Sequence, residues 1–285
     1  MGILNRKCYL CAQPAQFIVL FFICVIIVVG LCPMAQAAAP FSQAKLPSYK
    51  YVSKHFIVYS YSKKRAAYLA KEAEVVAGRV IGHSGVTRFA SWKTKAIIVL
   101  YKNHSEYVKE TGQPGWSGGT AGMLTHGPLT HRAIYLYEDA PNLFPNILPH
   151  EITHLVFMQM MGAKANIPLW LNEGLAVYEQ KDKGRSLKII AARNMKSNDY
   201  IKLDDLIKYE KAPEGRAELF YGASAGLVEY LFVVLNRACY VKMISLLKQG
   251  ASSYEAFQGA YAKVFKSFSS METGWKKYMI KEYAR

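Results

Sequence analysis

Residues 149–157 read Pro149-His150-Glu151-Ile152-Thr153-His154-Leu155-Val156-Phe157, which has the form H-E-x-x-H and runs straight into apolar residues. In a helix, side chains four positions apart project from the same face. His150 and His154 could then bind one zinc ion through two imidazole nitrogens. Glu151 would point about a third of a turn away, where its carboxylate could reach a water beside the metal. The competing interpretation is an ordinary helix that happens to carry two histidines.

A third metal ligand is available on the next predicted helix. Gly162 is typical of a helix end and Pro168 of a helix start. The segment that follows is apolar, and Glu173 is the one acidic residue between positions 168 and 178. A buried carboxylate is costly unless it is paired, and either a zinc ion or an ordinary salt bridge would remove that cost. Two histidines and one glutamate leave the fourth position on zinc open, which is typical of catalytic sites.

The first 37 residues have the features of a targeting segment. Arg6 and Lys7 form a positive start, residues 17–31 are apolar apart from Gly30, and residues 35–37 read Ala-Gln-Ala, a small-x-small cleavage pattern. The apolar run is shorter than the roughly twenty residues of a membrane span. We therefore expect a signal peptide and an exported protein, periplasmic or secreted, with a retained N-terminal membrane anchor as the alternative.

Composition restricts the partners and the metal ligands. The formal charge of the chain is +16, and loss of Arg6 and Lys7 with the signal peptide leaves +14. The basic residues are scattered, so we expect attraction to an anionic envelope surface and no nucleic-acid partner. Four of the five cysteines precede residue 38 and only Cys239 follows it. A metal in the mature chain must therefore be held by histidine and carboxylate.

Periodicity predicts an α+β fold. Strands are expected at 56–61, 96–101 and 133–137, a helix at 63–81, a short helix capped by Asn103 or Ser105, and a glycine-rich loop at 115–122. The motif helix should begin near Asn146. Beyond it the pattern is helical, at 168–180, 185–196, 221–236, 240–249, 253–265 and 270–284. The prediction is a linker at 38–47 and one domain at 48–285, with an α/β lobe (48–162) and a mainly helical lobe (163–285).

The motif and its downstream glutamate resemble the gluzincin clan of metallopeptidases. The phrase that carries this, beyond the H-E-x-x-H stretch, is Pro168-Leu169-Trp170-Leu171-Asn172-Glu173-Gly174-Leu175-Ala176. It is most similar to the bacterial peptidase MA-like domain, strongly over residues 145–180 and diffusely from about residue 50 onward. The resemblance implies a thermolysin-like core with a small twisted sheet, one zinc ion per chain held by His150, His154 and Glu173, and Glu151 as the general base.

Three further expectations follow from the same resemblance. Tyr221 is a candidate donor to the oxyanion that peptide hydrolysis generates, and aromatic packing is its alternative role. Position 177 is Val where thermolysin-like enzymes often have an acidic residue that orients a zinc histidine, so that partner is unidentified. Residues 115–122 lack the acidic residue with which aminopeptidases hold a substrate's amino terminus, which favours an endopeptidase.

The sequence therefore predicts an exported zinc peptidase that hydrolyses peptides or proteins with a zinc-activated water. Three alternatives stay open: a zinc hydrolase of a non-peptide substrate, a non-catalytic envelope protein that keeps the fold to bind peptides or partners, and a basic adhesin with accidental histidine spacing. The intact Glu151 argues against the non-catalytic interpretation, because a binding protein has no need of a base. The sequence leaves the oligomeric state undetermined.

Overall fold

The fold combines a five-stranded sheet in the first half of the chain with a helical second half. A computed structural model describes residues 46–84, 94–126, 129–162, 165 and 167–285. The predicted signal peptide and nearly all of the predicted linker lie outside these residues. The strands are β1 (Tyr49–Val52), β2 (Phe56–Ser60), β3 (Ala96–Tyr101), β4 (Thr120–His126) and β5 (Leu129–Tyr137).

The sheet has the strand order β1-β2-β3-β5-β4. β2, β3 and β5 are parallel, whereas β1 pairs with β2 and β4 pairs with β5 in antiparallel register. All six residues of β3 are buried, as expected for a central strand covered on both faces. β4 therefore forms one edge of the sheet, next to the motif helix.

Two helices in the first half connect and cover the strands: α1 (Lys63–His83) and α2 (His104–Thr111). The Ser62 hydroxyl caps α1 and the Asn103 amide caps α2, because each accepts a hydrogen bond from a first-turn backbone N–H. α1 buries the predicted stripe of alanine, leucine and valine against β1, β2 and the motif helix. The α+β class predicted from the sequence is confirmed.

The motif lies on α3 (Leu148–Met161), which follows a π-helical turn at Leu143–Ile147. Twelve of its fourteen residues are buried, because it packs against α1, the sheet and the next helix at once. Pro149 is accommodated in the first turn, where backbone N–H groups have no partner within the helix. Gly162 ends the helix with a φ of 86°, a conformation that glycine adopts without strain.

The remaining helices are α4 (Leu169–Tyr178), α5 (Asp182–Lys196), α6 (Leu203–Leu206), α7 (Ala217–Glu229), α8 (Arg237–Lys248), α9 (Ser253–Tyr261) and α10 (Phe268–Tyr283). α7 continues as a π-helical segment, Tyr230–Leu235. In the described part of the chain, only the helix at residues 217–235 is long and apolar enough to cross a membrane. Two thirds of its most apolar stretch is buried within the protein. A core helix passes the same test.

Three local expectations differ from the structure. Residues 120–122, assigned to a loop, belong to β4, whose weakly β-prone sequence is held by its ladder with β5. β1 was not predicted and likewise depends on pairing, with β2. The helix expected to start at Tyr221 begins one turn earlier, at Ala217. Tyr221 therefore lies inside a helix and not at its start.

Candidate metal centre

Close contacts between helices position the residues of the site. A β-carbon on Gly174 would lie 2.6 Å from the carbonyl oxygen of Ser224, so glycine lets α4 and α7 touch. A β-carbon on Gly222 would lie 2.0 Å from the carbonyl oxygen of Leu187, and α7 packs against α5 in the same way. Glu173 on α4 and Tyr221 on α7 are thus fixed by the residues next to them in sequence.

The structure brings His150, His154 and Glu173 together. The two Nε2 atoms are 3.0 Å apart. The Glu173 Oε2 atom lies 3.7 Å from Nε2 of His150 and 3.8 Å from Nε2 of His154. A point equidistant from these three atoms lies about 2 Å from each, close to the roughly 2.0–2.2 Å of zinc–ligand bonds. Among the residues that the structure describes, this is the one cluster of three that could hold a metal ion.

The surroundings of the Glu173 carboxylate also fit a bound cation. Its Oε2 atom is buried and accepts no hydrogen bond from any described residue. Burial raises the pKa of Glu173 to about 8. A cation beside the carboxylate would offset both effects, because opposite charge stabilises the ionised form. The donor set of two imidazoles and one carboxylate is one that zinc accepts.

His150 is suited to act as a neutral ligand. It is buried, and its burial, together with the nearby His154 and the Lys183 ammonium, holds its pKa well below the ordinary value. The ring therefore stays unprotonated at neutral pH, as a metal ligand must.

Each ring also has an amide next to its Nδ1 atom. The Nδ1 atom of His154 donates to Oδ1 of Asn172, at 3.1 Å, if the ring carries its hydrogen there. The Gln180 amide lies 3.1 Å from Nδ1 of His150. Neither partner was predicted from the sequence. Asn172 could have been suspected as the polar neighbour of Glu173 in an apolar helix, whereas nothing in the sequence pointed to Gln180. Val177, where a partner was sought, is buried in the wall of the cleft.

Glu151 lies beside the cluster at the sheet edge. It is buried and accepts a hydrogen bond from the backbone N–H of Ala121 in β4. Burial raises its pKa to about 7; the charge of Glu173 adds to this shift, while His154 and the Ala121 N–H oppose it. A carboxylate with a pKa near neutrality can both take up and release a proton.

Part of the site lines a cleft of about 680 Å³. His150 and Glu151 lie in its wall, together with two groups of residues. The first group comes from the sheet side and includes Gly115, Trp116, Gly118, Gly119, Tyr137 and His104. The second comes from the helical side and includes Val177, Gln180, Lys183, Leu187, Ile190 and Tyr221. The cleft therefore runs between the sheet edge and the helices, as expected of a ligand site.

Tyr221 lies in this cleft. Burial and the neighbouring Glu173 raise its pKa well above the ordinary value, so the hydroxyl keeps its proton. Its ring also packs against Phe220, with centroids 5.6 Å apart. The position allows the predicted donor role and also the packing alternative.

The other histidines with described side chains lie outside the metal cluster. His55 pairs with Glu74, His83 pairs with Glu179, and the His131 ring bonds to a backbone carbonyl. His104 differs from them, because it lines the cleft with Tyr137, the ring centroids lying 4.9 Å apart. The His126 side chain lies outside the described part of the chain.

Comparison with known proteins agrees with this geometry. A family model for the Peptidase MA superfamily matches residues 113–281. The match covers more than half of the chain and includes the whole metal cluster and Glu151, so the chain belongs to the Peptidase MA superfamily. A search of curated proteins finds no match.

Proposed function

We propose that this protein is an exported zinc-dependent endopeptidase. The observation that carries the proposal is the convergence of His150, His154 and Glu173 on one point beside the buried Glu151, in a cleft of a Peptidase MA superfamily member. His150, His154 and Glu173 would hold one zinc ion. Zinc, when bound, supplies a Lewis acid that polarises a carbonyl group and makes water a stronger acid.

Glu151 would act as general base and then as general acid. Its carboxylate takes a proton from the attacking water as the water oxygen bonds to the peptide carbonyl carbon. It then gives that proton to the leaving nitrogen as the carbon–nitrogen bond breaks, so one water is consumed and an acid and an amine are released. Burial of Glu151 supports the first step, because it makes the carboxylate a stronger base than a solvated glutamate.

The substrate would bind as an extended peptide along the sheet edge. β4 is an edge strand among the described residues, and Gly118 and Gly119, just before it, line the cleft. An extended chain can add to such an edge through backbone hydrogen bonds. Residues 115–122 hold no acidic side chain to capture a free amino terminus, which supports cleavage within a chain.

The Tyr221 hydroxyl would donate to the oxygen of the scissile carbonyl as negative charge develops there. Its raised pKa supports this role, because a phenol that keeps its proton remains a donor.

Export is proposed from residues 1–37, with their basic start, apolar run and Ala-Gln-Ala site. The mature charge of +14 would favour contact with an anionic envelope surface. The place of action would be the periplasm or the exterior.

The test measures metal content and proteolysis on the purified full-length protein. We expect one zinc per chain, cleavage of an unfolded protein such as casein, and loss of cleavage on chelation that zinc restores. Glu151→Gln should keep the zinc and lower turnover by at least about a hundredfold. Glu282→Gln, an exposed residue on α10, is the matched control and should change nothing.

Each alternative predicts a different result. A protein without metal would support the adhesin interpretation. Zinc without peptide cleavage would leave the non-catalytic and non-peptide alternatives. A Glu151→Gln variant that cleaves normally would show that the base has been assigned wrongly.

A further inference from the structure

A metal bound at His150 would require a hydrogen-bond acceptor next to the Nδ1 atom of that ring. In both histidines the Nε2 atom faces Glu173, so a metal would bind there and the ring hydrogen would have to reside on Nδ1. Each Nδ1–H then needs an acceptor. Asn172 offers its Oδ1 atom to His154. At His150 the atom next to Nδ1 belongs to the side-chain amide of Gln180.

The Gln180 amide can meet this requirement. Its oxygen and nitrogen exchange places when the amide plane turns by half a rotation, with almost no change of shape. As placed, Nε2 faces His150, and Oε1 is buried without a hydrogen-bond partner in the described structure. The turned amide puts Oε1 against Nδ1 and moves Nε2 to the place that Oε1 had. Once the ring hydrogen resides on Nδ1, the turned state is favoured, because Oε1 accepts that hydrogen whereas Nε2 would oppose one donor to another.

Long-range contacts hold Gln180 in place. The Lys181 backbone N–H bonds to the carbonyl of Pro145, just before the motif helix. Glu179, with its side chain almost wholly buried, binds Nε of Arg79 at 2.6 Å and Nδ1 of His83 at 2.5 Å. Two residues of α1 thus fix the bend that follows α4, and Gln180 lies between these two attachments.

We propose that Gln180 is a positioning residue that fixes the ring orientation and tautomer of His150 by accepting its Nδ1–H. The proposal rests on the metal centre of the proposed function. It predicts that an acceptor at position 180 is needed for tight metal binding, and that a carboxylate serves as well as the amide oxygen, because partners of this kind raise the affinity of ligating histidines.

The experiment measures zinc affinity of the full-length protein by competition with a chromophoric chelator. Gln180→Leu removes the acceptor at similar volume, and Gln180→Asn withdraws the amide from the ring. Both should weaken zinc binding by about 10- to 100-fold. Gln180→Glu, which keeps an acceptor, should bind zinc at least as tightly as the parent. Gln159→Leu is the matched control, since Gln159 is on the motif helix and its buried Oε1 also has no hydrogen-bond partner among the described residues.

A second readout separates positioning from stability. With Co²⁺ in place of zinc, the visible absorption should change in the Leu and Asn variants and not in Gln180→Glu or Gln159→Leu, while all four keep the thermal midpoint of the metal-free parent within a few degrees. Should one of the first two unfold, the other still tests the proposal.

Two results would overturn the proposal: Gln180→Leu or Gln180→Asn binding zinc as tightly as the parent, or Gln180→Glu losing as much affinity as Leu. A parent that binds no zinc overturns it together with the metal centre. A parent that binds zinc but cleaves no peptide contradicts only the peptidase proposal.

Discussion

Glu173 and Glu179 are two nearly equally buried carboxylates with different surroundings. Glu179 is paired with a guanidinium and an imidazole from α1, so its charge is compensated within the protein. Oε2 of Glu173 faces two imidazoles and has no hydrogen bond from the described residues. A buried carboxylate without compensation is unstable as an anion. The contrast between the two residues indicates that Glu173, and not Glu179, is free to bind a cation.

Tyr221→Phe tests a single hydroxyl. The variant keeps the ring and its packing on Phe220 and loses only the donor. We expect kcat to fall roughly ten- to a thousandfold with zinc content unchanged, measured on a fluorogenic peptide. Tyr240→Phe is the control, because Tyr240 is also buried but is not among the residues that line the cleft. An unchanged kcat in Tyr221→Phe would reduce Tyr221 to a packing residue.

Three residues of the motif and the downstream Glu173 could be predicted as a site from the sequence. Helix geometry brings positions 150 and 154 together, and the apolar neighbours of Glu173 distinguish it from other acidic residues. Their convergence is now observed, while their roles in binding zinc and in catalysis stay predictions. Gln180 could not be found in this way. Its place next to His150 depends on Arg79 and His83, about a hundred residues earlier, and local pattern carries no information about such contacts.

At the scale of elements, strongly periodic segments were predictable and weakly periodic ones were not. α1 and β3 have clear apolar patterns and were expected where they occur. β4 contains glycine and few β-branched residues, so only its pairing with β5 makes it a strand. The sheet edge next to the motif helix is thus an element that the sequence predicted in part as a loop.

Gly222→Ala tests the contact of α5 with α7. The added methyl group would overlap the carbonyl of Leu187, and backbone cannot yield as a side chain can. We expect a loss of about 1–3 kcal/mol in the free energy of unfolding, measured by urea denaturation. Activity should also fall, because Tyr221 and Leu187 both line the cleft.

The matched control for this substitution is Gly78→Ala. Gly78 is in α1, and a β-carbon there meets nothing within 4 Å. Alanine is the better helix former, so the control should gain about 0.5–1 kcal/mol. Equal stabilities for the two variants would mean that the α5–α7 contact is looser than described.

At the scale of the whole molecule, a partly buried polar network ties the C-terminal helix to the site helices. Lys188 on α5 pairs with Glu229 at the end of α7. Tyr278 and Tyr283 of α10 each donate to Glu229, at 2.7 Å.

The family match begins at residue 113, yet β5, inside the matched range, pairs with β3, outside it. The cleft is therefore built by segments from both halves of the described chain.

This network predicts a dependence of stability on pH. Burial alone would raise the pKa of Glu229, but the Lys188 ammonium and the two tyrosine hydroxyls outweigh it and hold the pKa below its ordinary value. A carboxylate with a lowered pKa in the folded state contributes stability above about pH 4.5 that is lost as pH falls further. Thermal unfolding from pH 7 to pH 3 should therefore show a smaller loss in Glu229→Gln than in the parent.

At pH 7 the same variant should be less stable than the parent by about 1–3 kcal/mol, because it leaves Lys188 without its charge partner. Glu282→Gln again serves as control. Parallel pH profiles for Glu229→Gln and the parent would show that the network does not contribute through charge.

The far end of the described sheet is formed by β1, whose four residues are all exposed and which, among the described strands, pairs with β2 alone. An open strand edge can join to another molecule and start aggregation. β1 is short and carries the charged Lys50 within it, and both features discourage that kind of self-association. Among the described strands, β1 is thus protected against growth of the sheet, and the proposed peptide substrate would add at β4.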